Sequence, residues 1–329
     1  MKRSIYRLSC LLPAGLALAA MLIPGPAAAQ DKAYPTREIN LNIGAPPGGT
    51  LDIAGRVLAK VLSRTLGQQV VIVNKPGAAQ AVAASYVYSS KPDGYNLAFM
   101  LNPNPIMKKI EESSLPYSPE DYTCLGAIAR STLVLTVKAD SPWKTYEDFI
   151  KYTAGEGGKV IFGNDGAGGI QHLFHLQLAE KLGMKNVSLV PFQGGGPAVQ
   201  ALLGGHIQAT TTSTGPVAPY VKSGDLRNLV IFGPERDPLY PDMPSIKEKG
   251  LDINVGSWAT FIGPRKLPPA IAEKLTVAIK EACRDQEVKD IFAGIGWAYE
   301  YLTPQDHQKA WKEEAEVYSK EMKKHGLVK

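Results

Sequence analysis

Three times along the chain an apolar, strand-like run opens into a glycine-rich loop and then a helical pattern, and this recurrence limits the fold more than any other feature. The first run, Ile39-Asn40-Leu41-Asn42-Ile43, leads into Gly44-Ala45-Pro46-Pro47-Gly48-Gly49-Thr50. A helix over 51–66 follows, with Ile53, Val57, Leu58, Val61 and Leu62 at helical spacing. A strand over 70–73 and the turn Asn74-Lys75-Pro76-Gly77 complete a βαβ unit. The second loop, Gly163-Asn164-Asp165-Gly166-Ala167-Gly168-Gly169, joins a strand over 160–163 to a helix over 170–182. The third, Phe192-Gln193-Gly194-Gly195-Gly196-Pro197, joins a strand over 187–190 to a helix over 197–203. Such alternation specifies an α/β fold, a sheet flanked by helices.

The remaining pattern adds a helix over 79–89 and a strand over 95–101. Asn102-Pro103-Asn104-Pro105 then reads as a loop able to continue neither state. A strand over 133–137 is followed by Ser141 as a cap and Pro142 at a first helical position, predicting a helix to about 152. Strands over 207–211, 229–232 and, last, 258–262 are followed by helices over 268–283, 287–292 and 304–323.

The N-terminus sets the compartment. Lys2, Arg3 and Arg7 precede an apolar stretch over 11–23, and Ala27-Ala28-Ala29 offers small residues for cleavage. A membrane span needs about 20 apolar residues, whereas Pro13, Pro24 and Pro26 crowd a shorter run. Cys10 lies ahead of the apolar run, which argues against lipidation. The segment 1–29 therefore reads as a secretory signal cleaved near Ala29, with the mature chain in a periplasm. Its removal takes three basic residues and lowers the formal charge from +5 to +2. That balance offers no surface for nucleic acid. About 300 mature residues exceed what one core ordinarily serves, so two domains with a ligand cleft between them are expected. Cys124 and Cys283 belong to no C-x-x-C pair, and the sequence leaves open a bridge or two separate buried thiols.

The loops carry the chemistry. Glycines ahead of a helix leave its first amides free, and with the positive end of the macrodipole these make an anion site. The first loop is equally an ordinary tight turn, with Thr50 as helix cap and Asp52 favourable in the first turn. Three such loops at carboxyl ends of strands fit the rule that open α/β sheets bind ligands there. None contains Arg or Lys, so an anion would be held by amides, hydroxyls and helix termini. The first loop lacks the lysine of a phosphate loop, and the second fails a dinucleotide fingerprint at its last glycine. No nucleophile elbow surrounds Ser213, which speaks against a hydrolase. His172 and His175 have a spacing a metal could use without a third ligand, so no cofactor or metal is expected.

Six motifs occur in an order that resembles the substrate-binding proteins of tripartite tricarboxylate transporters, also called the Bug family. They are Tyr34-Pro35, the 46–52 loop, Asn74-Lys75-Pro76-Gly77-Ala78, Pro92-Asp93-Gly94-Tyr95, Gly194-Gly195-Gly196-Pro197-Ala198 with Leu203-Gly204-Gly205, and Pro241-Asp242-Met243-Pro244-Ser245. The resemblance implies a two-lobed type II periplasmic binding protein fold, with lobe 1 over 30–131 plus 256–329 and lobe 2 over 132–255. It implies a monomeric, non-enzymatic protein that captures a small mono-, di- or tricarboxylate, aromatic acids included. Large and small integral membrane transporter subunits would be its partners, and presentation of the ligand to a signalling system is the alternative. Carried onto this sequence, Ala45, Pro46, Gly48, Gly49, Thr50 and Asp52 would form the first-lobe pincer, with Asn104 beside it. Asn164, Gly166, Gly168, His172, Gly194 and Ser213 would line the second lobe. Asp52 could either stabilise its helix or meet the ammonium group of an amino acid. Asn164-Asp165, the doubled Gly168-Gly169 and Gln193 depart from the family pattern, so the particular ligand does not transfer.

Overall fold

A computed structural model describes residues 34–328 apart from 156, 165–168, 193, 234, 238–239, 252 and 254–255. The secretory leader and its cleavage site, Gly166, Gly168 and Gln193 lie outside the described residues. The chain runs β1 (Ile39–Ile43), α1 (Thr50–Leu66), β2 (Val70–Asn74), α2 (Ala81–Tyr88), β3 (Asn96–Leu101), α3 (Pro103–Glu111) and β4 (Thr123–Lys138). It continues through α4 (Tyr146–Ala154), β5 (Lys159–Asn164), α5 (Ile170–Lys181), β6 (Asn186–Pro191), α6 (Gly195–Leu203), β7 (Ala209–Ser213), α7 (Thr214–Ser223) and β8 (Leu226–Phe232). β9 (Gly256–Gly263), α8 (Pro269–Ala282), α9 (Gln286–Gly294), β10 (Trp297–Leu302) and α10 (Pro304–Lys324) complete it, with short 3-10 turns at Ala78–Gln80 and Pro119–Asp121.

One strand organises the architecture. The first part of β4 pairs antiparallel with β9 and β10, ending where Thr132 faces Gly256. From Leu133 onward β4 pairs instead with β7 and β8, Leu133 facing both Ser213 and Phe232. The sheet order β2-β1-β3-β9-β4-β7-β5-β6 is thus two segments that share β4. In the first half β1 is parallel to β2 and β3; in the second, β5 is parallel to β6 and β7. Parallel pairing puts the carboxyl ends of those strands on one edge of each half, and the helices that follow start there.

Each half has its own apolar centre. In the first, Leu58 and Leu62 of α1 pack with Leu41, Phe99, Phe261 and Trp297, and the Phe99 and Phe261 rings lie 4.8 Å apart. In the second, Phe149, Phe162, Phe174 and Phe232 meet, with Phe174 and Phe232 4.4 Å apart. α10 belongs to both: Trp311 stacks on Tyr122 beside the first half, while Met322 enters the second-half cluster. Its end is fixed to α5 by Lys324 Nζ at 2.6 Å from Glu180.

Several expectations need correction. Asn102-Pro103-Asn104-Pro105 is not a loop but the start of α3, with Pro103 in its first turn. A proline there lacks only an N–H that has no intrahelical partner, so the helix forms around it. The cap after β4 is Thr145, not Ser141, because Thr145 and Asp148 form a reciprocal capping box. Gly49, not Thr50, is the cap residue of α1. β10 follows the strand expected to be last, and α7 forms despite Pro219. Of the two readings left open for the cysteines, separate buried thiols is the one found, and burial pushes both Cys124 and Cys283 up to about 12.

Candidate functional site

The first loop, 44–49, is shaped by one carboxylate. Gly48 has a φ of +80°, which turns its N–H onto Asp52 Oδ2 at 2.9 Å. The same oxygen accepts from Arg56 Nε at 2.8 Å, and Asp52 Oδ1 accepts from Asn74 Nδ2 at 2.8 Å. Asn74 Nδ2 also reaches the Ala45 carbonyl at 3.0 Å, which ties both ends of the loop to one side chain. Burial acts to raise the Asp52 pKa, but the hydrogen bonds from Arg56, Asn74 and Gly48, with the Arg56 charge, hold it below its ordinary value. Asp52 is only 1% exposed, and both its oxygens are engaged. Pro46, Pro47 and Gly48 stand out into solvent, with Ala45, Gly49 and Thr50 half-buried beside them.

A second first-half element stands at the end of β3. Asn102 is fully buried, and its side chain extends the β3–β9 pairing by accepting from Trp258 N at 2.9 Å. Its Nδ2 donates to Glu314 of α10, so the C-terminal helix pins the start of α3. Burial pushes the Glu314 carboxyl up to about 8, against the lowering effects of the Asn102 bond and the Arg130 charge. Two residues on, Asn104 Oδ1 lies 3.5 Å from the backbone N–H of Ile170, in the first turn of α5. The carboxyl edges of the two halves meet at this contact.

In the second half Asn164 ends β5 and is almost wholly buried, its carbonyl accepting from Phe192 N at 2.9 Å. Gly169, Gly194 and Ser213 are the cap residues of α5, α6 and α7, and none of the three caps makes a side-chain hydrogen bond to its helix. Gly194 holds a φ of +104°. Three helix N-termini therefore start from β5, β6 and β7, whose carboxyl ends share one edge. With no Lys or Arg in the three loops, the arrangement suits a small anion held by amides and hydroxyls.

The candidate residues divide. Asn104 is brought to α5 from the opposite half, whereas Asp52 is enclosed by its own loop. His172 is half-buried; burial lowers its pKa, and the Glu111 charge on α3 opposes this. His175 is fully buried, with Nε2 2.7 Å from Thr211 Oγ1 and its ring stacked on Phe162. The 241–245 motif lies apart from these loops, where Tyr146, Tyr240 and Met243 line an outer cavity of the second half. Tyr34 and the 92–95 motif are structural, since Tyr34 Oη donates to Gly94 O at 2.7 Å. Asn102 and Glu314 were not anticipated. A signal for Glu314 existed, because it falls between Trp311 and Tyr318 on the inward stripe of α10.

Residues 54–327 match a family profile described as the tripartite tricarboxylate transporter family receptor. A Cupriavidus necator protein, described as a UPF0065 protein in the gbd 5′ region, is 35% identical over 96% of this chain and 94% of its own. MatC of Rhodopseudomonas palustris, solved with bound malate, is 26% identical, covering 88% of this chain and 99% of its own at a TM-score of 0.76. A second R. palustris protein, solved with adipate, is 27% identical, covering 89% and 98% at a TM-score of 0.80. The family and its solved structural neighbours are substrate-binding proteins and not enzymes, and this chain shares their two-lobed periplasmic binding protein fold. With its profile match spanning most of the chain, this protein belongs to the tripartite tricarboxylate transporter receptor family of periplasmic solute-binding proteins.

Proposed function

We propose that the mature chain, released by cleavage near Ala29, captures a small mono-, di- or tricarboxylate between lobe 1 (30–131 with 256–329) and lobe 2 (132–255). The ligand's carboxylate is held by main-chain amides of the 44–49 loop and of the α5, α6 and α7 N-termini. Asn104, Asn164 and Ser213 supply the polar side chains. Gly166, Gly168 and His172 complete the second-lobe wall. The observation that carries this reading is the approach of Asn104 to Ile170 N, which joins the carboxyl edge of one half to a helix N-terminus of the other. The neighbours solved with malate and adipate support the ligand class. Asp52 serves as the internal brace of its loop, since both its oxygens already accept from protein donors. The loaded protein, a monomer, delivers its ligand to a large and a small integral membrane subunit.

A thermal-shift panel of carboxylates on the mature protein tests the ligand class. A ligand at 100 times its dissociation constant adds about 2.7 kcal/mol of stability. A rise in melting temperature with at least one carboxylate is expected; a response confined to sugars or amines would overturn the reading. Loss of carboxylate uptake on deletion of the gene tests delivery to the transporter.

A further inference from the structure

Between the two first-half loops lies a segment that departs from the helix expected over 79–89, which begins only at Ala81. Ala78, Ala79 and Gln80 stand consecutively at φ of 46°, 47° and 70°. L-residues are disfavoured in that region at every position, and glycine is the residue that ordinarily occupies it. Such a turn persists only where its surroundings hold it, and it clusters at functional sites. What holds this one is the Gln80 side chain, whose Oε1 accepts from Leu101 N at 3.0 Å. Leu101 is the last residue of β3, just ahead of Asn102 and Asn104. On its other side Gln80 lies against Gly44, where an added Cβ would stand 2.6 Å from Gln80 Cβ. Gln80 is therefore wedged between the root of the 44–49 loop and the root of α3, at the carboxyl edge of β1 and β3.

The wedge has an unused end. Gln80 is 7% exposed, and its Oε1 is engaged by Leu101. Its Nε2 carries two N–H donors, has no partner among the described residues, and is not among the buried side-chain atoms sealed from solvent without a partner. A neutral amide with free donors, fixed at its oxygen and set between the root of a loop without Lys or Arg and the root of α3, suits a carboxylate. We infer that Gln80 is a further ligand-contacting residue of the first half, its Nε2 donating to an oxygen of the bound carboxylate while its Oε1 keeps Leu101 and the start of α3 in place. The inference rests on the carboxylate reading proposed above and adds to it a residue that selects among carboxylates.

The substitutions Gln80→Glu, Gln80→Met and Gln80→Gly separate the two ends of the amide. Glu keeps an acceptor for Leu101 N and replaces the donor with a negative charge. Met keeps the length and removes both. Gly relieves the backbone and removes the side chain. Titration calorimetry of the mature protein with malate and with adipate is read beside melting temperature. The expected result is a loss of at least tenfold in affinity for Gln80→Glu, exceeding that for Gln80→Met, with Gln80→Glu melting within a few degrees of wild type. Gln80→Gly is expected to bind at least tenfold more weakly, with relief of the backbone offsetting part of the stability lost with the Leu101 bond; Gln80→Glu, which keeps that bond, shows that weak binding is not a folding defect. Wild-type binding with Gln80→Glu and Gln80→Gly within twofold of it overturns the inference and leaves the carboxylate reading standing. A folded wild type that binds no mono-, di- or tricarboxylate overturns both.

Discussion

Asn104 of α3 and Ile170 of α5 belong to opposite halves of the sheet, yet the Asn104 side-chain oxygen accepts from the Ile170 amide at 3.5 Å. The first-turn amides of a helix are its anion-binding groups, so under the proposed function Asn104 stands where a carboxylate would be contacted from both halves. Asn104→Ala is expected to weaken carboxylate binding by about 1 kcal/mol, roughly fivefold. Calorimetry checks this, and an affinity unchanged by the substitution would remove Asn104 from the site.

Asp52 carries a different expectation. Replacing it with alanine leaves the Gly48, Asn74 and Arg56 donors without their common acceptor, at a cost of about 1–3 kcal/mol for a buried partner. Chemical denaturation of Asp52→Ala should show that loss. Binding of an amino-dicarboxylate and of its deaminated analogue should weaken in parallel, because the loop is loosened for both. Selective loss of the amino acid would instead give Asp52 a direct contact with the ammonium group. The sign with pH follows from its lowered pKa. Its contribution is present above the ordinary carboxylate value near 4 and disappears as pH falls through the folded value.

The parts of this molecule legible in its sequence are those set by local periodicity. The 51–62 apolar spacing gave α1, and the three glycine loops gave the carboxyl edges where three helices begin. What could not be read was set by partners far along the chain. No sequence pattern assigns residues 123–132 to an element, yet they form a strand because β9 and β10, more than 120 residues later, pair with them. Asp52 has the same sequence signature with or without an asparagine beside it, and only the fold brings Asn74 to its carboxylate. The left-handed conformation of Gln80 has no signature at all, since it follows from the approach of Gly44 and Leu101.

Two histidines make the protein sensitive to acid. Burial pushes His175 and His307 down to about 3, the His172 charge adding to the effect at His175. Neither ring nitrogen of His307 has a partner among the described residues, and the ring stacks on Trp311. Between the ordinary value of about 6.5 and the folded value, the unfolded chain binds protons that the native protein does not. Stability is therefore expected to fall as pH drops from about 6.5 toward about 3. His307→Phe keeps the stack and removes one titrating group, so its melting temperature should decline less over that range. An identical decline in both proteins would place the acid sensitivity elsewhere.

Glu314 acts in the opposite direction, and its effect falls at a higher pH. It accepts from Asn102, with Arg130 of β4 and Tyr318 of its own helix as the other groups facing it. Its folded value of about 8 stands above the ordinary 4.5, because burial outweighs the Asn102 bond and the Arg130 charge. Between those values the native protein holds a proton that the unfolded chain has released, so this contribution is full below about 4.5 and is lost as pH rises through about 8. Glu314→Gln keeps an acceptor for Asn102 and cannot ionise. Its melting temperature should hold steady from pH 6 to pH 9 where the wild type declines, while carboxylate affinity at pH 7 stays near the wild-type value because Asn102 is still held. Glu314→Leu removes the acceptor from a buried amide and should weaken binding through the loosened start of α3. If wild type and Glu314→Gln decline together, Glu314 is ionised throughout, and its pairing with Arg130, rather than its burial, governs the charge.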